Sequence, residues 1–445
     1  MTTLIIEISK YFMILLMAFY TYFNFRFFSY QDLEDKKAVC GRQNQAMFLI
    51  HLLAFLVIYL KSQDEAVIGF YLAQVVFFVC YIGGFRLLYR NVSRLLVNNT
   101  AMLLCVGFII QTRLSIEKGQ ALAGKQFVVA ALAAAISLLL PFIMDRVWQL
   151  SKIPWVYGLG GLVLLAAVWM KGNTSYGAQL SLSLGGASFQ PSEFVKITFV
   201  FFTAAMFYHS TSFRTVCVTT AAAAAHVLVL VASKDLGGAL IFFTTYLFML
   251  FVATSNWVYL GTGVLSGSVA AVAAYYLFSH VRIRVEAWAN PWADIDNRGY
   301  QITQSLFAIG TGGWFGSGLF QGMPYKIPVV EKDFIFAAIF EEMGGIFAVC
   351  VLLICLGCFI QFMMIASKMR AAFYKLIAFG LGMVYITQVF LNVGGVVKFI
   401  PSTGVTLPFV SYGGSSVFST FFLFHIVQGL YILKRNEEEE DEGEF

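Results

Sequence analysis

Apolar residues in this chain form long, uninterrupted runs rather than short alternating patterns. About 13 runs are each long enough to cross roughly 30 Å of hydrocarbon as a helix. They occupy residues 5–28, 45–61, 65–89, 95–113, 126–147, 154–171, 191–209, 214–232, 238–255, 258–280, 334–365, 371–396 and 413–434. The pattern predicts an all-α fold, a polytopic transmembrane helical bundle of about 13 spans.

Composition supports a membrane protein. The chain has 445 residues, of which 59% are hydrophobic and 12% are charged, whereas about a quarter of a soluble protein is charged. The net charge of +5 is modest, and no Lys- and Arg-rich tract is interleaved with aromatic residues. We therefore expect a membrane location and no nucleic-acid partner.

The distribution of Lys and Arg predicts the orientation of the spans. One set of alternate loops is basic: it contains Lys36, Lys37, Arg42, Arg86, Arg90, Arg94, Arg146, Lys152, Arg214, Lys368, Arg370, Lys375, Lys434 and Arg435. Basic loops stay in the cytoplasm. This places the C-terminus in the cytoplasm, and the N-terminus and the 281–333 loop outside. The tail 435–445 is acidic, and its composition predicts a disordered, solvated segment.

The long polar segment Val281–Gly344 is the main candidate for function. It contains charges, Trp, Tyr and a glycine-rich patch from Gly310 to Gly322, and from Asp333 onward it passes into an apolar run that carries Glu341 and Glu342. Long ordered loops are more often functional than idle. Asp333 and the nearby Glu341 and Glu342 are candidate functional carboxylates, although a carboxylate at a helix start can also be a simple N-cap.

Three further polar groups lie inside or beside spans, where ionisable residues are functional candidates. Glu193 and Lys196 share a helix face and can form an internal ion pair or hold an anionic headgroup. Asp235 can cap the helix that follows it. The irregular stretch from Lys398 offers the hydroxyls of Ser411, Ser415 and Ser416, either to a ligand or to a structural re-entrant loop.

The Cys and His residues do not predict a metal site formed by protein side chains. Seven Cys are present and lie mostly in apolar runs, and the five His are scattered without metal-binding spacing. The expected role of the cysteines is that of small buried apolar side chains.

At these polar stretches the chain resembles the SEDS family (shape, elongation, division and sporulation), which includes FtsW, RodA and SpoVE. The matching segments occur in family order. They are Phe189–Phe194, Asp235–Gly237, Asn290–Asp294, Gly299–Ser305, Gly310–Gly313, Asp333–Phe336 with Glu341 and Glu342, Asn392–Gly394, and Leu407–Ser416. One segment departs from the family: a usual Arg-Trp-Ile-like sequence is replaced by Leu180-Ser181-Leu182.

The resemblance implies a ten-span core at 91–434, preceded by about three extra helices in residues 1–90. It implies a peptidoglycan glycosyltransferase that polymerises lipid II, an undecaprenyl-pyrophosphate-linked disaccharide peptide, outside the membrane. The implied partner is a class B penicillin-binding protein. The role in elongation, division or sporulation stays open. The family's essential loop aspartate corresponds to Asp333.

Glycan polymerisation needs a base for a sugar hydroxyl and a positive group for the leaving pyrophosphate. We expect Asp333 to be the base. The candidate substrate-binding residues are Glu193, Lys196, Lys326, Lys332, Glu341, Lys398, Ser411, Ser415 and Ser416, with Arg282 and Arg298 as further cations. The sequence establishes no cofactor, and it leaves open whether Lys and Arg or a divalent cation, Mg²⁺ or Mn²⁺, stabilises the pyrophosphate. A lipid II flippase and a non-catalytic scaffold for a penicillin-binding protein are the alternative functions.

Overall fold

The structure, a computed structural model, describes residues 2–175, 178–184 and 187–443. Within those ranges twelve helices are long and apolar enough to span a membrane. The only strands there form one small antiparallel sheet of three. The prediction of an all-α, multi-pass membrane protein is therefore confirmed, and the sheet is an addition that the hydrophobic pattern did not reveal.

The elements follow one another along the chain. The helices are α1 Thr2–Ser29, α2 Leu33–Ser62, α3 Ala66–Leu88, α4 Arg94–Lys118, α5 Leu122–Ser137, α6 Met144–Val147, α7 Pro154–Lys171, α8 Ser192–His209, α9 Phe213–Ala232, α10 Leu236–Thr254, α11 Trp257–Leu277, α12 Ser279–Ala289, α13 Tyr300–Gly312, α14 Ile335–Met343, α15 Gly345–Lys368, α16 Ala372–Val396 and α17 Gly414–Gly443. The strands are β1 Asn173–Ser175, β2 Ala178–Leu184 and β3 Ala187–Phe189, in the order β1-β2-β3.

The predicted span at 191–209 is present as α8, which has 18 residues. It is not among the twelve strongly apolar helices, because Glu193, Lys196 and His209 lower its mean hydropathy. The span count thus depends on a helix whose polar residues are themselves candidates for function.

The chain divides into two compact units. The first comprises residues 1–134, 286–358 and 392–413. Its centre is α4, which is buried along its whole apolar length. Helix α1 is attached to α4 by polar side chains: Tyr20 donates to Asn99 Oδ1 at 3.0 Å, and Asn99 donates to Asn24 Oδ1 at 2.8 Å. Hydrogen bonds of this kind join helices where no water is present to compete.

The second unit comprises residues 135–285, 359–391 and 414–445. Small residues on α7 allow it to approach α8 closely. A Cβ on Gly158 would lie 2.5 Å from the Phe202 ring, and one on Gly161 would lie 2.9 Å from Val195. Close approach of this type is a common way to pack helices in membranes.

The predicted loop 281–333 is not an irregular loop. It contains most of α12, the whole of α13, and two 3₁₀ turns at Pro291–Asp294 and Pro324–Lys326. Polar composition suggested a loop, but α13 is amphipathic and buries Ile302, Thr303 and Ser305. One-sided burial therefore makes this polar segment helical.

The predicted span 334–365 is broken at Gly344, which has φ +90°. Helix α14 ends there and α15 begins at Gly345. The amides of Gly345 and Ile346 donate to the carbonyls of Gly313 and Trp314 instead of continuing the helix ladder of α14. The apolar run concealed this break, because glycine adds little to the hydropathy but adopts positive φ readily.

The expectation of a disordered acidic tail is corrected as well. Helix α17 continues to Gly443, and the last two residues lie outside the described part of the chain. Glu438 pairs with Lys434 at 2.9 Å and with Arg435 at 3.0 Å. Pairs at these spacings stabilise a helix, and they extend α17 beyond its apolar part.

Candidate active site

The predicted site residues fall into two groups, one in each unit. Asp333, Lys326, Lys332, Glu341, Lys398 and Ser411 belong to the first unit. Glu193, Lys196, Ser415 and Ser416 belong to the second. Each group is described separately below.

The segment Glu331–Asp333 is held by its backbone. The carbonyl oxygen of Glu331 accepts from Gln111 Nε2 at 2.9 Å and from the Tyr412 amide at 2.7 Å. The carbonyl of Lys332 accepts from the Ser411 hydroxyl, and that of Asp333 accepts from Asn392 Nδ2 at 3.0 Å. Three successive carbonyls therefore have partners from other parts of the chain, which fixes the backbone that carries Asp333.

The same segment is also anchored by an ion pair. Lys118, at the end of α4, donates to Glu331 Oε2 at 2.6 Å. The amides of Lys332 and Asp333 both donate to the carbonyl of Val329. Val329 has φ +57°, a conformation that β-branched residues rarely adopt. Strained backbone of this kind concentrates at functional sites.

Asp333 lies just before α14 and is half-buried. The residue at the N-cap position of α14 is Phe334, whose side chain makes no capping hydrogen bond. The capping role and the catalytic role that the sequence left open for Asp333 both stay predictions.

The turn Leu407–Ser411 supports this segment from the other side. Ser411 is 2% exposed, and its hydroxyl accepts from the Leu407 amide at 2.8 Å while donating to Lys332. Gly107 of α4 lets the turn lie directly on that helix: a Cβ there would come within 2.8 Å of the Phe409 carbonyl and 2.9 Å of the Val410 carbonyl. This geometry gives Ser411 a structural position, and its predicted contact with substrate stays a prediction.

A fully buried arginine that the sequence analysis missed lies in the first unit. Arg113 of α4 has a side chain only 2% exposed. It donates to Glu342 Oε1 at 2.9 Å, to Glu117 Oε2 at 3.1 Å and to the Gly322 carbonyl at 3.3 Å. Its position at the end of an apolar run was the available signal, since a charge inside a span marks a functional candidate.

The two glutamates of α14 have separate partners. Glu341 Oε1 accepts from the Met323 amide at 2.8 Å, whereas Glu342 pairs with Arg113. Gly322 fits against both side chains, because a Cβ there would lie 2.9 Å from Glu342 and 3.0 Å from Glu341. The second carboxylate oxygen of each glutamate is buried and has no hydrogen-bond partner among the residues described.

The predicted cations differ in accessibility. Lys326 is exposed, and Lys332 and Lys398 are half-buried. Lys398 has φ +60°, and its carbonyl accepts from Trp288 Nε1 at 3.1 Å. Arg298 pairs with Glu286 at 3.4 Å. In the second unit, Arg282 donates to the Tyr276 carbonyl at 3.0 Å.

The second unit joins four polar side chains of α8, α16 and α17. Lys196 donates to Glu193 Oε2 at 2.6 Å and to Gln388 Oε1 at 2.8 Å. Ser419 donates to the same Glu193 oxygen at 2.9 Å. Lys196 is only 4% exposed. Of the two roles that the sequence left open, this placement favours the internal ion pair.

The neighbouring residues of the second unit continue this network. Ser415 Oγ accepts from the Gln190 amide at 3.0 Å, and Ser416 Oγ accepts from Gln388 Nε2 at 3.5 Å. Asp235 caps α10 as predicted by accepting from the Gly238 amide at 2.9 Å. Burial raises the pKa of Asp235, and the Gly238 N–H opposes that shift. The network thus positions the start of α8 with hydrogen bonds that are already formed.

Within the described ranges, no three His, Cys, Asp or Glu side chains are grouped so that they could hold a metal ion. The use of Mg²⁺ or Mn²⁺ stays a prediction.

Comparison with known proteins places the chain in a family. Residues 92–436 match the family model of FtsW, RodA and SpoVE, which is described as that of cell cycle proteins. The chain belongs to the FtsW/RodA/SpoVE family. The match includes α4, α14 and α17, and it begins after α1, α2 and α3.

Two relatives and one solved structure illustrate the similarity. The chain is 36% identical over 313 residues to the peptidoglycan glycosyltransferase RodA of Mycobacterium tuberculosis. The aligned region covers 66% of each protein. It is 35% identical over 283 residues to the stage V sporulation protein E of Bacillus subtilis, covering 61% of this chain and 75% of that one. A structure from a peptidoglycan synthase complex aligns with TM-score 0.65 at 26% identity, covering 77% of this chain and 97% of the other.

Proposed function

We propose that this protein is a peptidoglycan glycosyltransferase that polymerises lipid II, with Asp333 as the general base. The main support is the Glu331–Asp333 segment, in which three successive carbonyls are held while the Asp333 side chain stays half-buried before α14. A base must be held close to the geometry of its reaction. The named activity of the RodA relative points to the same chemistry.

In the proposed reaction, a sugar hydroxyl oxygen attacks the anomeric carbon of a lipid-linked glycan. The new C–O bond forms as the bond from that carbon to the pyrophosphate breaks. Asp333 accepts the hydroxyl proton, and the pyrophosphate leaves with the electron pair of the broken bond. A correctly placed base contributes about 10²–10⁴-fold to such a step.

The leaving pyrophosphate needs positive charge. Among the predicted cations of the first unit, Lys326 is the best candidate because its side chain is exposed. Lys332 and Lys398 are the next candidates in the same unit. Lys196 is a weaker candidate, because it is buried against Glu193 and Gln388.

We further propose that the Asp333 segment lies outside the cytoplasmic membrane, with the C-terminus in the cytoplasm and the N-terminus outside. The basic loops support this orientation. Residues 1–90 would then be an addition of three helices to the core at 91–434. A class B penicillin-binding protein is the proposed partner, since the similar structure comes from a complex that coordinates polymerisation and crosslinking.

The deciding experiment is lipid II polymerisation by the purified full-length protein in detergent. We expect Asp333→Asn to lower the rate by about 10²-fold or more, without a change in thermal stability. Asp296→Asn is the matched control, because Asp296 is an exposed carboxylate of the same polar segment. Parallel reactions with Mg²⁺, with Mn²⁺ and with a chelator test the need for a cation.

The alternative functions give different results in this assay. A flippase has no sides to transport between in detergent and would form no glycan, and a scaffold would also form none without its partner. Equal rates for Asp333→Asn and wild type would refute Asp333 as the base. Orientation is tested separately by labelling Asp296→Cys with an impermeant maleimide in intact cells, after Cys80 and Cys217, the exposed native cysteines, are replaced by Ser.

A further inference from the structure

Helix α1 lies outside the region that matches the family model, yet it contacts the glycine-rich segment of the first unit. Lys10 donates to the Gly316 carbonyl at 3.3 Å. The ring of Tyr11 lies 5.7 Å from that of Phe315, measured between centroids. Ile6 is 1% exposed, and its Cγ2 would lie 3.4 Å from a Cβ built on Gly318. Two successive turns of α1 therefore contact residues 315–318.

Lys10 is an unusual residue for this position. It is 9% exposed near the start of an apolar helix, and it pairs with Glu7 at 2.8 Å. Burying a lysine is unfavourable unless its charge is neutralised and its protons are bonded. Here the ammonium group bonds both the Glu7 carboxylate and the Gly316 carbonyl. Lys10 thus links α1 to a segment more than 300 residues away in sequence.

The segment that Lys10 holds is itself bonded to the acidic end of α14. The Ser317 amide and hydroxyl donate to the Glu341 carbonyl at 2.9 and 2.8 Å, and the Gly318 amide donates to the Glu342 carbonyl at 2.9 Å. Gly316 has φ +74°, and a Cβ there would lie 2.5 Å from the Glu342 carbonyl. Gly316 therefore packs directly against the backbone of Glu342, whose side chain holds Arg113.

Helix α1 has a second, independent attachment to the helix that carries Arg113. Tyr20 and Asn24 bond Asn99 in the first half of α4. Lys10 and Tyr20 are ten residues apart, or about 15 Å along a helix. Helix α1 is thus fixed to α4 at one end and to the glycine-rich segment at the other. Both of these elements bond to Glu342: α4 through Arg113, and the glycine-rich segment through the Gly318 amide.

We propose that α1 is a positioning element of the candidate active site, and that Lys10 is the positioning residue through which it sets the glycine-rich segment and the Glu342–Arg113 pair. The helix in front of the family core would then tune the reaction without touching substrate. The kinetic part of this proposal rests on the proposed function, whereas its structural part does not.

The first test is hydrogen–deuterium exchange on the full-length protein. Lys10→Met keeps the side-chain volume and removes the charged donor. We expect it to raise exchange of the amides at 316–318 about tenfold, the value for loss of one charge-assisted hydrogen bond. Lys10→Arg should stay within about twofold of wild type. Lys61→Met, an exposed lysine of α2, is the matched control and should change nothing there.

The second test separates positioning from general stability. In lipid II polymerisation, Lys10→Met should lower kcat about five- to twentyfold with KM within about twofold, and Lys10→Arg should restore kcat. Tyr11→Ala, which removes the ring that contacts Phe315 and the Lys10 ammonium group but keeps the hydrogen bond of Lys10, should give a smaller loss in the same direction. A wild-type protein that makes no glycan would refute the proposed function but would leave the exchange test valid.

Two results would overturn the proposal. One is unchanged exchange at 316–318 in Lys10→Met. The other is faster exchange spread equally over α2 and α4 in both Lys10→Met and Tyr11→Ala, because α1 would then be a general folding element with no particular effect on the glycine-rich segment.

Discussion

The buried charged side chains of the two units differ in how completely they are hydrogen-bonded. In the second unit, Lys196, Glu193, Gln388 and Ser419 form a network in which none of their buried polar atoms lacks a partner. In the first unit, Arg113 has three polar partners, but Glu341 and Glu342 each keep one buried oxygen without a hydrogen bond. The difference lies in how complete the bonding is, since both units bury charges.

Incomplete bonding is informative because buried polar groups are nearly always paired, and each exception needs an explanation. Positive φ occurs at Val329 and Lys398 in the first unit and at Lys234 and Ser255 in the second, so backbone strain does not separate the two units. Strain and unsatisfied groups persist where function requires them. The incompletely bonded carboxylates agree with the proposed site in the first unit, and the complete bonding around Lys196 favours a structural role for the second group.

Removal of the buried arginine should produce the largest loss in the free energy of unfolding. Arg113→Met leaves Glu342 as an uncompensated buried charge, which costs about 3–5 kcal/mol in the free energy of unfolding. Arg113→Met combined with Glu342→Met should recover most of this stability, since a buried pair replaced by apolar residues is often neutral. Thermal unfolding in detergent measures both. A double variant no more stable than the single one would contradict the pairing.

Removal of the buried lysine of the second unit tests whether its network is only structural. Lys196→Met should cost about 2–3 kcal/mol, less than Arg113→Met, because Glu193 is partly exposed and keeps the hydroxyl of Ser419. Polymerisation per folded molecule should stay within about threefold of wild type. If folded Lys196→Met protein lost nearly all polymerisation, Lys196 would belong to the reaction site and the comparison would fail.

A methyl group between α4 and the Leu407–Ser411 turn should act on the first unit through its backbone. Gly107→Ala places a Cβ within 3.0 Å of backbone atoms of Phe409 and Val410. We expect a loss of about 1–3 kcal/mol from overpacking, with a fall in polymerisation because the turn shifts Ser411. Gly124→Ala is the control: its Cβ meets nothing within 4 Å, so helix propensity should make it neutral or slightly stabilising.

The smallest expected losses of stability are those of two serine variants, Ser411→Ala and Ser415→Ala, and they should differ from each other. Ser411→Ala removes the donor to Lys332 and the acceptor for Leu407, so it should cost about 1–2 kcal/mol and slow polymerisation. Ser415→Ala removes only an acceptor for the half-buried Gln190 amide and should cost less than about 1 kcal/mol. Equal effects of the two variants on polymerisation would mean that Ser411 does not support the Asp333 segment.

Sequence reasoning was most successful where one residue type has one strong local preference. The pairing of Glu193 with Lys196 and the capping by Asp235 both followed from helical spacing and N-cap preference, and both are present. It failed where local composition was ambiguous. Gly344 did not reveal a helix break within an apolar run, and the acidic run after Asn436 did not reveal a helix.

Arg113 shows most clearly what was missed. It ends an apolar run and resembles an ordinary charge at a membrane interface in the sequence. Its partner Glu342 is 229 residues away, and no spacing rule links residues at that distance. Lys10 and Gly316 are a second case, separated by 306 residues.

The sequence by itself determined the membrane class, the helical architecture, the family and the candidate aspartate, because long apolar runs and local motifs depend on neighbouring residues. The tertiary structure decided which charges meet, which donors hold the backbone carbonyls of Glu331–Asp333, and which hydroxyls are already bonded. Those outcomes depend on contacts between residues that are distant in sequence, and the free energy of burying a charge depends on the partners that folding brings to it.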